Sequence, residues 1–475
     1  MSDTNIVRTR MAPSPTGELH IGGLRTLLYD YALARQNHGQ FILRLEDTDQ
    51  KRHVEGAESR IFQVIKDYGL SWDEGPDIGG PYGPYVQTKR LNIYQKYIKE
   101  LLDQDLAYYC FCSEQRLTEM REVQKAAHKV PKYDRHCLKL SSKEIKQKIE
   151  NGEKYVIRLK MPDNENIVFK DLIRGEIKFN TNELDDQVLI KSDGIPTYHF
   201  AVVVDDHLMK ITHIFRGEEW ISSTPKQILL YKYFKWEVPN FAHLTVLLDP
   251  SGHGKMSKRH GSTHARAFLD DGYLPEAMLN FLMLLGWNPG TDKELFTLDE
   301  FIKEFNLEHL HKKSPIFDRK KLDYFNGLYI RQKSDEELFP YFKKFLPQAS
   351  DEQIKILIPV LKERLIKFSD LSEQVKFLFE DVDYDKDLLL KKGTSSELAA
   401  EMLNKTKELL SDFTNLSSRI LNLISENSWN TGEFFMVFRV AICGSSFTPP
   451  LVECLPALGQ EGTIRKLDLA LTKLK

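Results

Sequence analysis

The stretch Pro13-Ser-Pro-Thr-Gly-Glu-Leu-His-Ile-Gly-Gly23 limits what this chain can fold into more than any other. Before it, Asn5 to Met11 reads as a strand. After it, Leu24 to Gln36 places Leu24, Leu27, Leu28, Tyr31 and Ala32 on one helical face. Gly39 ends that helix, and Gln40 to Glu46 reads as a second strand. Strand, loop, helix, strand at this length is a βαβ unit, so the chain is committed to a parallel sheet. Loops at the carboxyl ends of such strands hold ligands. Gly22 and Gly23 remove side chains where backbone meets a ligand. The free N–H groups at the helix start favour an anion such as phosphate, and His20 adds a donor beside them. The spacing is neither GxGxxG nor a Walker P-loop, which argues against a dinucleotide cofactor or a simple ATPase. Taken alone, His-x-Gly-Gly also suits a loop that only caps a helix.

A chain of 475 residues predicts three or four domains. A helix is expected from about Glu55 to Tyr68, a Gly/Pro-rich boundary from Asp73 to Pro84, and a helix from Lys89 to Leu102. Lys154 to Ser192 is short-period and β-rich. Phe200 to Asp206 is an apolar run ending in two aspartates, which reads as a buried parallel strand. Beyond Lys333 helical spacing dominates; Leu357, Leu361, Leu365 and Phe368 form one stripe, and Pro359 within it predicts a kink or break. A net charge of −3 gives no global attraction to nucleic acid, although a local patch suffices. Five unevenly spaced cysteines do not make a disulfide framework and point to a reducing, cytoplasmic compartment. The first residues hold no apolar targeting segment, and no apolar run reaches the roughly 18–20 residues of a membrane span.

A second stretch, Gly252-His-Gly-Lys-Met-Ser-Lys-Arg-His-Gly261, packs cations between glycines. Glycines at both ends permit a mobile loop. Lys255 and Lys258 would carry positive charge to a departing polyphosphate, worth about 3–4 kcal/mol per well-placed group. A solvated basic loop is the common alternative. Paired with the histidine–glycine loop, however, this stretch resembles the second of the two signatures of class I aminoacyl-tRNA synthetases. The likeness lengthens in Arg10-Met-Ala-Pro-Ser-Pro-Thr-Gly-Glu-Leu-His-Ile-Gly-Gly-Leu-Arg-Thr26, Leu43-Arg-Leu-Glu-Asp-Thr-Asp49, Arg216-Gly-Glu-Glu-Trp220, Phe317-Asp-Arg-Lys-Lys-Leu322 and Phe438-Arg-Val-Ala441. These segments resemble the bacterial-type glutamyl-tRNA synthetase family and span essentially the whole chain.

The resemblance implies an α/β catalytic Rossmann fold with a β-rich α+β insertion, followed by an all-α C-terminal anticodon-binding region. Transferred to this sequence, residues 1–88 and 193–250 are the two catalytic halves, and 89–192 is the acceptor-stem-binding insertion. Residues 251–332 form the stem-contact domain with the lysine loop, and 333–475 the helical region. The implied reaction joins L-glutamate to ATP, giving glutamyl-adenylate and pyrophosphate. The glutamyl group then passes to the 3′ terminal adenosine of tRNA(Glu), with tRNA(Gln) left open as a second acceptor. Mg2+ enters with ATP, no membrane is involved, and a monomer is usual. In this family glutamate activation depends on bound tRNA.

The site residues follow from the same likeness. His20, Gly22, Gly23, Lys255, Ser257, Lys258 and Arg259 bind ATP, and His20, Lys255 and Lys258 act in catalysis. Arg10 and Arg216 fork the two glutamate carboxylates, Glu46 takes the amine, and Ala12, Ser14 and Tyr198 line the pocket. Arg10 is placed near the side-chain carboxylate and Arg216 near the α-carboxylate, with the reverse order open. Glutamine would leave an arginine partly unpaired. Val202 stands where some relatives carry asparagine. Glu219 meets the adenosine or the tRNA terminus, while Asp205 and Asp206 cap or brace. Some relatives hold structural zinc through residues corresponding to Cys110, Cys112 and Cys137, with Tyr133 or His136 as the fourth ligand here; others have none. Lys139 stands where certain relatives place a histidine. Cys443 and Cys454 read as buried thiols. Lys312, Lys313, Arg319, Lys320 and Lys321 would meet phosphates. A synthetase-like paralogue that glutamylates a tRNA base lacks the helical tail, so the tail argues against that reading.

Overall fold

A computed structural model describes residues 6–256, 263–390 and 394–475. The chain forms two compact units, one of residues 1–266 and 279–318, the other of residues 267–278 and 319–475.

In the first unit β1 (Arg8–Met11), α1 (Ile21–Gln36) and β2 (Gln40–Leu43) make the expected βαβ unit, with β1 and β2 parallel. Helix α1 starts at Ile21 rather than Leu24 because His20 caps it. The imidazole Nδ1 accepts the Gly22 N–H at 3.1 Å. Gly39 is required by close approach, since a Cβ there would lie 2.0 Å from the Val7 carbonyl oxygen. Helices α2 (Ala57–Asp67) and α3 (Leu91–Asp103) follow, with Tyr94, Ile98 and Leu101 of α3 buried.

Strand β3 (Ala107–Cys110), helices α4 (Glu114–Ala126) and α5 (Ser142–Glu150), and strands β4 (Val156–Leu159), β5 (Asn166–Asp171), β6 (Gly175–Asn180) and β7 (Val188–Ile190) come next. These strands divide between two sheets. β3, β4 and β7 pair antiparallel among themselves. The β5–β6 hairpin instead joins β8 (His213–Gly217) and β9 (Asn240–Leu244) in the order β6-β5-β9-β8, with β8 and β9 parallel. β1 is tied to the chain entering β8, for the Arg8 carbonyl accepts the Thr212 N–H at 2.9 Å.

The run Phe200–Asp206 is a helix, not the strand its composition suggests. It lies within α6 (Tyr198–Leu208), which is followed in chain order by β8 and α7 (Thr224–Phe234). Every side chain from Phe200 to Asp206 is buried. A helix covered on all sides shows no polar face, so its period cannot be read from hydrophobicity. Its two aspartates brace the core. Asp205 accepts from Arg90 Nε at 2.7 Å, Tyr94 Oη at 2.8 Å and Gln87 Nε2 at 2.9 Å. Asp206 accepts from Arg44 Nη1 at 2.7 Å and Arg10 Nε at 3.2 Å.

Helices α8 (Ala265–Asp270), α9 (Pro275–Leu284) and α10 (Leu298–Glu304) precede the long helical part of the second unit. That part comprises α11 (Arg319–Gln332), α12 (Asp335–Phe345), α13 (Asp351–Leu361), the short α14 (Leu371–Gln374) and α15 (Lys386–Leu389), and then α16 (Ser396–Leu409), α17 (Leu416–Glu426), α18 (Thr431–Cys443) and α19 (Leu451–Leu474). Ser350 caps α13 with a reciprocal bond from Gln353, and the helix stops two residues after Pro359. Leu365 and Phe368 reach the core from the following turns. Among the described residues no helix is long and apolar enough to cross a membrane.

Asp205→Ala should strand Arg90, Tyr94 and Gln87 in the core and cost about 3–5 kcal/mol. The urea midpoint measures this; a loss under about 1 kcal/mol would show that the network does not hold α6.

Candidate active site

One cavity of about 1020 Å³ opens at the carboxyl ends of β1 and β8. Its wall is built from the loop after β1, the start of α1, the segment after β2, the start of α6, the end of β8 and the turn around Lys255. His20, Gly22, Gly23 and Lys255 line it, as do Arg10, Ala12, Ser14, Glu46, Tyr198, Arg216 and Glu219. The sequence therefore named a set that converges on one space, although its members span nearly 250 positions. Ser257, Lys258 and Arg259 lie outside the described residues.

Where α1 begins, the His20 ring is committed to a neutral form. Its Nδ1 lone pair receives the Gly22 N–H, so the ring proton sits on Nε2. Burial, reinforced by His264 and Lys255, lowers its pKa to about 4. His20 is thus a neutral donor rather than a cation. Gly22 and Gly23 form the first turn of α1; His20 Nδ1 takes the Gly22 N–H and the Thr263 carbonyl takes that of Ile21. The lysine stretch attaches here at both flanks. Before it, Met256 N donates to Leu247 O at 2.9 Å. After it, Ile21 N donates to Thr263 O at 2.9 Å and Ala265 N to Leu19 O at 2.8 Å.

At the other end lie buried charges. Arg44, fully buried, joins Asp206 to Glu46 with contacts of 2.7 and 2.9 Å. Burial raises the Glu46 pKa despite Arg44 and Arg10, so an incoming cation would be welcome beside it. Burial also acts against ionised Asp206, but Arg10 and Arg44 outweigh it and hold the carboxyl below its usual range. Tyr198 stays a phenol because burial raises its pKa, and its ring lies 4.5 Å from that of Trp220.

Arg216 is held differently. Its three nitrogens donate to His243 Nε2 at 3.0 Å, Gln227 Oε1 at 2.7 Å and Thr224 Oγ1 at 2.6 Å. Among the described residues no carboxylate pairs with it. Burial lowers its pKa; neighbouring Arg10 adds to the shift, and Tyr198 and Asp206 oppose it. Glu219 folds over Gly217, where a Cβ would lie 2.1 Å from its carboxylate. Val202 is buried in α6 and does not line the cavity. Sequence reasoning missed Arg44, Thr224, Gln227 and His243; only Arg44 carried a signal, as a charge amid the apolar residues of β2 and its extension.

A separate cluster lies beside β3. The Sγ atoms of Cys110, Cys112 and Cys137 fall within 4.8 Å of one another. Tyr133 Oη is 3.3 Å from both Cys110 and Cys112. His136 is exposed and outside the cluster, so of the two candidate fourth ligands only Tyr133 converges with the sulfurs.

The chain matches the catalytic domain of class I tRNA synthetases (E and Q) over residues 6–324 and an anticodon binding domain over residues 336–471. A glutamate–tRNA ligase of Clostridium botulinum (strain Hall) is 43% identical, with 99% of each chain covered. One from Borreliella burgdorferi is 41% identical over 98% of each. The crystal structure of a glutamate tRNA ligase from Elizabethkingia meningosepticum, in complex with its amino acid, is 39% identical with a TM-score of 0.89. It covers 99% of this chain and 100% of that one.

The His20 geometry fixes a pH signature. Its folded pKa of about 4 lies below the ordinary 6.5, so the unfolded chain takes up the proton first. The stability due to neutral His20 is complete above 6.5 and is lost as pH falls toward 4. An NMR titration of the His20 ring should inflect near 4; an inflection near 6.5 would refute the capped, neutral ring.

Proposed function

This chain belongs to the class I tRNA synthetases of the glutamate and glutamine group, and on that premise we propose how its cavity carries out the work of a glutamate–tRNA ligase. The observation that carries the reading is the convergence of His20, Lys255, Arg10, Glu46 and Arg216 on one cavity. ATP lies with its phosphates against the start of α1, where the Gly23 N–H and His20 Nε2–H donate, the Gly22 N–H being held by His20 Nδ1. Glutamate lies against Arg10 and Arg216, with its ammonium at Glu46. This order sets the α-carboxylate beside Arg216 and turns it to the α-phosphate, and it sets the side-chain carboxylate beside Arg10. Attack forms the C–O–P bond of glutamyl-adenylate and expels pyrophosphate, whose charge Lys255 and Lys258 offset. Most of the rate comes from holding the two reactants in line. The ribose hydroxyl of the terminal tRNA adenosine, near Glu219, then takes the glutamyl group and releases AMP.

In the helical unit a groove of about 540 Å³ includes Arg364, Lys376 and Phe447. Phe447 is 89% exposed. An exposed ring beside cations is equipped to stack on a splayed anticodon base. Three sulfurs lie close enough to share one metal ion, the Tyr133 hydroxyl beside them suits a fourth ligand to zinc, and cations face the group. Arg116 Nη1 donates to Cys112 at 3.4 Å, and the Arg158 guanidinium lies 4.1 Å from the Tyr133 ring centre. Zinc here would tie β3 to the Tyr133–Cys137 turn and take no part in the reaction.

Aminoacylation of purified tRNA(Glu) and tRNA(Gln) with ATP and glutamate tests the reading. Wild type should charge tRNA(Glu), and Arg10→Leu should lose glutamate use by about a hundredfold or more while ATP still binds. An unchanged glutamate KM in that variant would reject the pocket. Protein purified without chelator should carry about one zinc per chain and Cys112→Ser much less; metal-free wild-type protein would reject the site.

A further inference from the structure

Two buried arginines face the amino-acid end of the cavity, and their supports differ in kind. Arg10 rests directly on the Asp206 carboxylate. Arg216 rests on neutral acceptors, and the nearest acid in its chain of contacts, Asp171, stands one imidazole away. Asp171 Oδ2 lies 2.7 Å from His243 Nδ1 and also accepts the His243 backbone N–H at 3.0 Å. Asp171 Oδ1 accepts the backbone N–H groups of Ile173 and Arg174 at 2.9 and 2.8 Å. Four N–H donors thus fix this carboxylate, and both it and His243 are buried.

The geometry determines the tautomer. Asp171 can only accept, so Nδ1 carries the proton and Nε2 is left with its lone pair. That lone pair faces Arg216 Nε at 3.0 Å. Thr224 Oγ1 sits 3.1 Å from the same nitrogen and donates to the Trp220 carbonyl at 2.9 Å, so its hydrogen has an outlet that leaves Nε2 to the guanidinium. The Phe241 ring stacks on one side of His243 and the Arg216 guanidinium lies 4.9 Å from that ring's centre, which closes the assembly.

The arrangement does something a direct ion pair would not. A carboxylate in the place of His243 would orient Arg216 but also neutralise it. An imidazole orients it and leaves its charge for a ligand. We propose that Asp171 and His243 are positioning residues that hold Arg216 as an oriented, uncompensated guanidinium for a substrate carboxylate. This rests on the reading of Arg216 as a glutamate contact. Neither residue touches substrate; both act through Arg216, much as a buried aspartate sets the ring of a catalytic histidine.

The test uses full-length protein, tRNA(Glu), and separate titrations of glutamate and ATP in aminoacylation. His243→Ala should raise the glutamate KM about tenfold or more with the ATP KM unchanged. His243→Gln, whose side-chain oxygen can accept from Arg216 Nε, should recover most of that loss. In wild type the 15N shifts of His243 should show protonated Nδ1 and bare Nε2. Arg216→Gln separates the two readings. If it leaves the glutamate KM unchanged, the pocket assignment itself fails. If it raises that KM while His243→Ala does not, or if His243 carries its proton on Nε2, the pocket stands and the relay is wrong. Equal rises in both KM values in His243→Ala would also overturn the relay, since that is what loosened packing alone produces.

Discussion

The organising constraint of the catalytic unit is charge taken out of water. Arg10, Arg44, Arg90 and Arg216 are all buried under or beside one cavity. An unpaired buried ion is costly, so each must be met by acceptors that folding brings from elsewhere. Arg90 and Arg44 are met by Asp205, Asp206 and Glu46, and Arg10 by Asp206. The aspartates sit on a helix buried on every side, and their positions fix how that helix lies against β1 and β2. The end of the cavity lined by Arg10, Glu46 and Arg216 is therefore the exposed edge of a structural network rather than a separate addition. On the proposed reading, selectivity for a dicarboxylic amino acid and the stability of the core draw on the same side chains.

The start of α1 follows another logic. A histidine proposed to face polyphosphate invites the assumption of positive charge. The capping bond from Gly22 removes that option, because it occupies the lone pair that a second proton would need. What remains is a directional Nε2–H donor beside the first turn of α1. In the proposed reaction, cationic charge at this end is left to lysines, whose long stems let charge follow a leaving group as it moves.

Much of this was legible in the sequence because it is local. The βαβ unit, the glycine pair and the lysine stretch each occupy consecutive residues, and their turn chemistry and periodicity survive translation into letters. The pocket residues were legible only through family likeness, since nothing in isolation distinguishes Arg216 from a surface arginine. Phe200–Asp206 was misread because complete burial erases periodicity. Asp171, His243, Thr224 and Gln227 were invisible for a different reason: each is unremarkable where it stands, and its meaning lies in a partner 8 to 72 positions away. His136 shows the reverse case: a plausible ligand type, next to Cys137 in the chain, whose side chain is exposed and outside the sulfur cluster.

The bond between Arg8 and Thr212 spans 204 positions. On that side β1 is met by Thr212 and by β8, which come more than 200 positions later. During synthesis that side of the first strand must wait while the whole intervening chain is made. Fragments cut short before that point would present a bare β edge, the feature that most readily recruits another chain. Soluble expression of this unit should thus depend less on trimming its ends than on keeping β8 within the fragment.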